Sequence, residues 1–94
     1  MKIEFDPKKR ESTLRARKLD FEDAKEVFDG TEITIYDDRA DYGEERYITI
    51  GVARGEVVVI VWTPRDRGEG EVVRIISMRQ ANDKESKAYW EQVR

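Results

Sequence analysis

The side chains in this 94-residue chain with chemistry to offer are arginines and carboxylates, because it contains neither His nor Cys. Lacking His, it has neither the commonest general base nor the commonest transition-metal ligand. Lacking Cys, it has no disulfides, thiolate nucleophiles or cysteine metal sites. No P-loop or GxGxxG run is present, and a Ser-His-Asp set cannot be assembled. What remains is a group of guanidinium side chains, Arg65, Arg67, Arg74 and Arg79, set against the acids Glu44 and Glu85. Arginine suits bidentate contact with phosphate or carboxylate. Arg65 and Arg67 fall just before the strand in which Arg74 lies, so these three guanidinium groups are expected at one end of a sheet. Arg74 and Arg79 have opposite parity, and a regular strand would point them to opposite faces. The grouping fits chemistry on RNA, where attack by a 2′-hydroxyl builds negative charge on phosphorane oxygens that fixed guanidinium groups stabilise.

Proton transfer would fall to Glu, Lys or Tyr side chains with shifted pKa values. Glu85 and Tyr89 stand at i and i+4 on one helix face, as a base and as a proton donor or stacking platform. Each has a plainer reading. Glu85 caps a helix with Asn82 and Tyr89 packs against the sheet, while Trp62 and Trp90 serve as core or interface aromatics and not as base-stacking platforms. Arg46 pairs with one of its many acidic neighbours. Asp37, Asp38 and Asp41 offer hard-cation oxygens but lack the spacing of a Ca²⁺ loop, and no metal ligands are assigned.

Charged residues make up 41% of the chain, against about 25% in an ordinary domain. The 18 basic and 21 acidic residues leave a net charge of −3, which argues against a bulk nucleic-acid binder. The charges are nevertheless segregated. Residues 8–18 carry six basic side chains against Glu11, a local +5. Residues 20–45 carry eleven acids against Lys25 and Arg39, a local −9. Residues 46–79 return to +2, and every basic residue there is Arg. That pattern permits an Arg-lined anion site beside an acidic flank.

The elements that must position these residues read as one α+β domain spanning residues 1–94. Residues 2–5 alternate as a short edge strand would. Asp6-Pro7 caps a polar helix over 7–17. Asp20, with Asp23 three residues on, opens a second helix that presents Phe21, Ala24, Val27 and Phe28 and stops at Gly30. From residue 31 the period becomes 2, with strands around 33–36, 46–52, 57–62 and 72–78. A tight hairpin falls at Ala53-Arg54-Gly55, and a charged loop at 64–70. Asn82 and Glu85 form a capping box for a last helix. Consecutive strands with short turns predict a four-stranded antiparallel meander between two N-terminal helices and a C-terminal one. No apolar run approaches membrane-spanning length and no signal peptide is evident, so a cytoplasmic location is expected.

Five segments occur in order at suitable spacing: the N-terminal MKIEFDPKKRESTLRARKLDFEDAKEVFDG, then YGEERYITIG, WTPR, RIISMR and NDKESKAY. Together they resemble the BrnT family, toxins of type II toxin–antitoxin systems, over nearly the whole chain. The resemblance implies a RelE-like ribonuclease fold and metal-independent endoribonuclease activity that inhibits translation, with no cofactor. It also implies neutralisation by a BrnA-type antitoxin, which would carry the DNA-binding domain, so that this chain meets DNA only through its partner. The family's GExR element falls on Gly43, Glu44 and Arg46, its Trp-Thr and following Arg on Trp62, Thr63 and Arg65. RIISxR falls on Arg74, Ser77 and Arg79, and ExxxY on Glu85 and Tyr89. Many members read Lys-His-Gly where this chain has Ala16-Arg17-Lys18, and Arg17 can hold phosphate but cannot shuttle a proton near neutral pH. The catalytic set expected is thus Arg65, Arg74, Arg79, Glu44 and Glu85, with Arg17, Lys18, Arg46, Arg67 and Tyr89 contacting RNA. The alternative expectation is a catalytically silent protein-binding module, using the sheet edge or the C-terminal helix.

Overall fold

The computed structural model describes residues 1–66, 68 and 70–94. Arg67, one of the expected RNA contacts, lies outside the described residues. Strand β1 (Lys2–Glu4) leads to Asp6, whose carboxylate accepts the Lys8 N–H and starts helix α1 (Pro7–Arg17), with Pro in its first turn. None of the residues of α1 is buried, and Leu14 is 41% exposed. The helix ends at Lys18, which sits in the left-handed region at φ 60° and donates its N–H to the Leu14 carbonyl. Glycine bears no Cβ penalty there, so Lys18→Gly should stabilise the fold by about 0.5–1 kcal/mol. Thermal unfolding should show a midpoint a few degrees higher, and a lower one would mean that the lysine is not strained.

The second helix is shorter than expected. Phe21–Asp23 form a 3₁₀ turn, and only Ala24–Asp29 are α-helical (α2). Asp20 does accept a cap bond, from the Glu22 N–H, but its carboxylate is also held by Arg10 Nε and Nη2 at 2.8 and 2.9 Å. The guanidinium of Arg10 thereby holds the Asp20 carboxyl below its ordinary pKa.

Strands β2 (Ile33–Tyr36), β3 (Tyr47–Ala53), β4 (Glu56–Asp66) and β5 (Glu71–Gln80) pair antiparallel in sequence, as expected. The sheet, however, is five-stranded and mixed, in the order β1-β5-β4-β3-β2, because β1 joins β5 in parallel. The period-2 pattern of residues 2–5 marks a strand but does not name its partner. Among the described residues, β1 pairs only with Val72–Arg74. Farther along β5 the edge is met by α1, where Arg17 Nη1 donates to the Met78 carbonyl at 2.9 Å.

The β3–β4 hairpin turns through Arg54 and Gly55 with φ of 49° and 78°, the two positive values of a type I′ turn. β4 runs through Pro64 and Arg65, where a loop was expected. Past Trp62 it has lost β3 and pairs with β5 alone, and a proline without an N–H is tolerated along such an edge. Phe21, Ala24 and Val27 pack on Val58, Ile60, Trp62, Val73, Ile75 and Met78 to form the core. Trp62 lies inside it, stacked on Tyr47 with its indole N–H donated to Thr49 Oγ1 at 2.8 Å. Helix α3 (Asp83–Val93) opens with the full Asn82/Glu85 capping box.

Candidate functional site

An irregularity in β5 determines which arginines share a face. Val61 pairs with Ser77 but Trp62 pairs with Ile75, so Ile76 is an extra residue, a bulge. The parity of β5 inverts there, and Val73, Ile75 and Met78 all enter the core despite their uneven spacing. Arg74 and Arg79 therefore lie on the same face, not on opposite faces as a regular strand requires. Arg65 joins them, since it pairs with Val72, two residues from Arg74. The expected gathering at one end holds for Arg65 and Arg74. Arg79 stands farther along, opposite Val59 where Arg74 is opposite Thr63, about 13 Å of strand away.

Each of these arginines meets a carboxylate. Arg65 Nη1 donates to Glu44 Oε2 at 2.9 Å, and Glu44 also stands 3.6 Å from Arg46 Nε. The Arg46 guanidinium lies 4.0 Å over the Tyr42 ring, a cation–π contact, and its buried Nε has no hydrogen-bond partner among the described residues. Arg74 Nη1 donates to Glu4 Oε2 at 2.7 Å, an ion pair spanning 70 residues of chain. Arg79 holds Glu85 with both terminal nitrogens at 2.8 Å, and the Asn82 N–H donates to the same carboxylate at 2.9 Å. Glu4 and Tyr42 were not among the expected site residues. Only the alternation of residues 2–5 hints at Glu4, and a loop contact such as that of Tyr42 has no periodic signal.

The two grips on Glu85, first from Arg79 and then from the Asn82 N–H, bring its pKa down from 4.5 to about 2. Such a carboxylate is a weak base at neutral pH and a firm anchor for Arg79. A depressed folded-state pKa contributes stability that is complete above about pH 4.5 and lost as pH falls toward about 2. Acid unfolding should therefore be shallower for Glu85→Gln than for the unaltered chain between those values, followed by circular dichroism. Coincident curves would mean that the pair contributes nothing to stability.

Tyr89 does not offer a stacking platform. It is 3% exposed, its ring meets Trp90 edge-on, and its hydroxyl donates to the Thr31 carbonyl at 2.6 Å. Its position on the inner side of α3, over the sheet, leaves no surface for a base. Arg17 and Lys18 are exposed at the end of α1, remote in sequence from the arginine face; Arg17 is tied to β5 through the Met78 carbonyl, whereas Lys18 Nζ donates to the Arg15 carbonyl at 3.2 Å. Asp37 is buried and bound by Arg39 Nε and Nη2, each at 2.7 Å, which holds its carboxyl below the ordinary range. Among the described residues, no three acidic side chains are arranged to hold a metal ion.

Fold and site together define a small α+β protein carrying a face of carboxylate-paired arginines, a class suited to engaging phosphate. Residues 5–85 match the family model for the ribonuclease toxin, BrnT, of type II toxin–antitoxin systems, and the chain belongs to that family. It is accordingly a ribonuclease toxin, with RNA as target and a protein antitoxin as partner. A search of curated proteins finds no match to the chain. Among the described residues, no helix is long and apolar enough to cross a membrane.

Proposed function

We propose that this chain, acting as a single RelE-like domain, is an endoribonuclease that cleaves RNA without a metal and thereby inhibits translation. The observation that carries this reading is the bulge at Ile76, which leaves Arg65, Arg74 and Arg79 on one face. An RNA phosphate arriving on that face competes for the Arg65 and Arg74 guanidinium groups now engaged by Glu44 and Glu4, and meets Arg79 while Glu85 still holds it. Glu44, once displaced from Arg65, takes the proton from the attacking 2′-hydroxyl. The new 2′-O–P bond forms as the P–O5′ bond breaks, and the 5′-oxygen takes a proton from water. Arg65, Arg74 and Arg79 stabilise the charge on the phosphorane oxygens. Glu85 serves as the anchor of Arg79, and Arg17, Lys18, Arg46 and Arg67 contact the RNA backbone. Arg17, in place of the histidine of many relatives, holds phosphate and moves no proton.

A BrnA-type antitoxin would neutralise the toxin and link it to DNA. Its docking is favoured by the exposed Ile35 and Tyr36 of edge strand β2, by Trp90, and by the acidic flank over residues 20–45. The test is cleavage of RNA by the purified protein in EDTA, with growth arrest on expression as a second readout. Arg74→Ala should lower cleavage at least tenfold, and equal activity in the variant removes Arg74 from the mechanism. The same assay addresses the second reading, a silent binding module, favoured by the carboxylate already held by each of the three arginines. No cleavage together with tight antitoxin binding selects it.

A further inference from the structure

Helix α1 is difficult to explain by packing. It carries a local +5 over residues 8–18 and buries no residue, so its sequence is not shaped by a core. Arg10 is spent on Asp20 and Arg15 on Glu11, but no acid is bonded to Lys8, Lys9 or Arg17 among the described residues. Lys9, Thr13 and Arg17 recur at intervals of four and form one stripe along the helix. That stripe faces β5 across a cleft of about 330 Å³, lined also by Ser12 and, on β5, by Ile76 and Ser77 of the bulge. A second hollow of about 220 Å³ extends it past Lys8. The cleft thus holds two cations, three hydroxyls, two apolar side chains (Ala16 and Ile76) and, among the described residues, no acid. Cations with hydroxyls match a phosphate and a sugar, and Ile76 offers a surface for the flat side of a ribose or base.

The cleft also lies beside the arginine face. Ser77 pairs with Val61 on that face, and Arg79 follows two residues on, about 7 Å of strand away. Bulges commonly occur where a strand must re-aim side chains next to a site. We propose that the α1–β5 cleft is a nucleotide subsite that holds the RNA backbone next to the scissile phosphate. Lys9 and Arg17 contact phosphate oxygens, and Ser12, Thr13 and Ser77 hydrogen-bond phosphate or ribose. The proposal rests on the ribonuclease reading for its substrate, but it assigns binding and not chemistry.

The probe is a fluorescent single-stranded RNA with every 2′-hydroxyl methylated, which blocks 2′-hydroxyl attack and separates binding from cleavage. Its Kd for the full chain is measured by anisotropy between 50 and 300 mM salt. Lys9→Gln should weaken binding about three- to tenfold and reduce the slope of log K against log salt by about 0.7, the loss of one phosphate contact to a single strand. Adding Arg17→Gln should reduce that slope by about 1.4 in total. Lys25→Gln, on the acidic side, should change neither quantity, and thermal midpoints show whether each variant is folded. Affinity and slope unchanged in folded Lys9→Gln overturn the subsite, even if the unaltered chain cuts ordinary RNA. If the chain binds the probe with the expected Lys9 dependence but cuts no RNA, the subsite stands and the ribonuclease reading fails. No binding by the unaltered chain overturns the subsite outright.

Discussion

Arg79→Ala should lower RNA cleavage about 10²- to 10³-fold, the range seen when one donor to a developing oxyanion is removed. The expectation rests on how the side chain is held. Glu85 grips both terminal nitrogens of Arg79, and its carboxylate is fixed in turn by the Asn82 N–H at the start of α3. The guanidinium is thus set in place before substrate arrives, with its Nε outside the bidentate pair. Preorganisation of this kind puts charge where the phosphorane oxygens develop theirs without reorganisation during the reaction. The fold should survive the change. Arg79 is 46% exposed, and a pair so open to solvent contributes about 1 kcal/mol or less. Asn82 and Glu85 keep their capping box in the variant.

Glu85→Gln separates positioning from charge, because it loosens Arg79 while retaining the guanidinium. Its cleavage rate should fall between those of the unaltered chain and Arg79→Ala. As an anchor, Glu85 should affect kcat without introducing a new acid limb in the pH–rate profile. If folded Arg79→Ala cleaves RNA as fast as the unaltered chain, the arginine face is not the catalytic site.

Gly51→Ala should cost about 2–3 kcal/mol of stability, at the upper end for an overpacked core. A Cβ at Gly51 would stand 2.7 Å from Val27 Cγ1, with the Thr31 and Val27 carbonyl oxygens at 3.6 Å. Val27 is completely buried and β-branched, so its methyl group cannot swing away as the end of a long side chain would. α2 must therefore lift from β3. Because α2 delivers Ala24 and Val27 to the core, the strain reaches its centre. At about 4–8 °C per kcal/mol for a domain of this size, the thermal midpoint should fall by about 10–20 °C. Val27→Ala removes the opposing methyl groups, so the double variant should lose less than the sum of the two single losses. Strictly additive losses would mean that the close approach is not what makes Gly51 necessary.

Much of this architecture is legible locally. Asp6-Pro7 marks the start of α1, and Asn82 with Glu85 that of α3, because a cap bonds N–H groups two or three residues away. Arg54-Gly55 marks the hairpin, since a type I′ turn needs two residues at positive φ and favours glycine. The alternation of residues 33–36 and 47–53 marks half-buried strands, although β3 turns Thr49, Gly51 and Ala53 to the core under α2. The glycine approach to Val27 explains that choice. The short second helix carries no such local mark: Asp20 accepts its cap bond from the Glu22 N–H, yet Phe21–Asp23 form a 3₁₀ turn and the α-helix begins only at Ala24.

The sequence by itself determined the α+β composition, the order of the elements, the segregation of charge and, through five ordered motifs, the resemblance to BrnT toxins. Tertiary structure decided the parallel pairing of β1 with β5, the partners of Arg65, Arg74 and Arg79, and the burial of Tyr89. It also decided the face on which Arg74 lies relative to Arg79. A period of 2 describes a strand's own two sides, so one extra residue at Ile76 reverses the reading beyond it without disturbing the composition. Whether that residue is accommodated depends on β4 and the core packed against β5. The Glu4–Arg74 pair likewise exists only once strands 70 residues apart lie side by side.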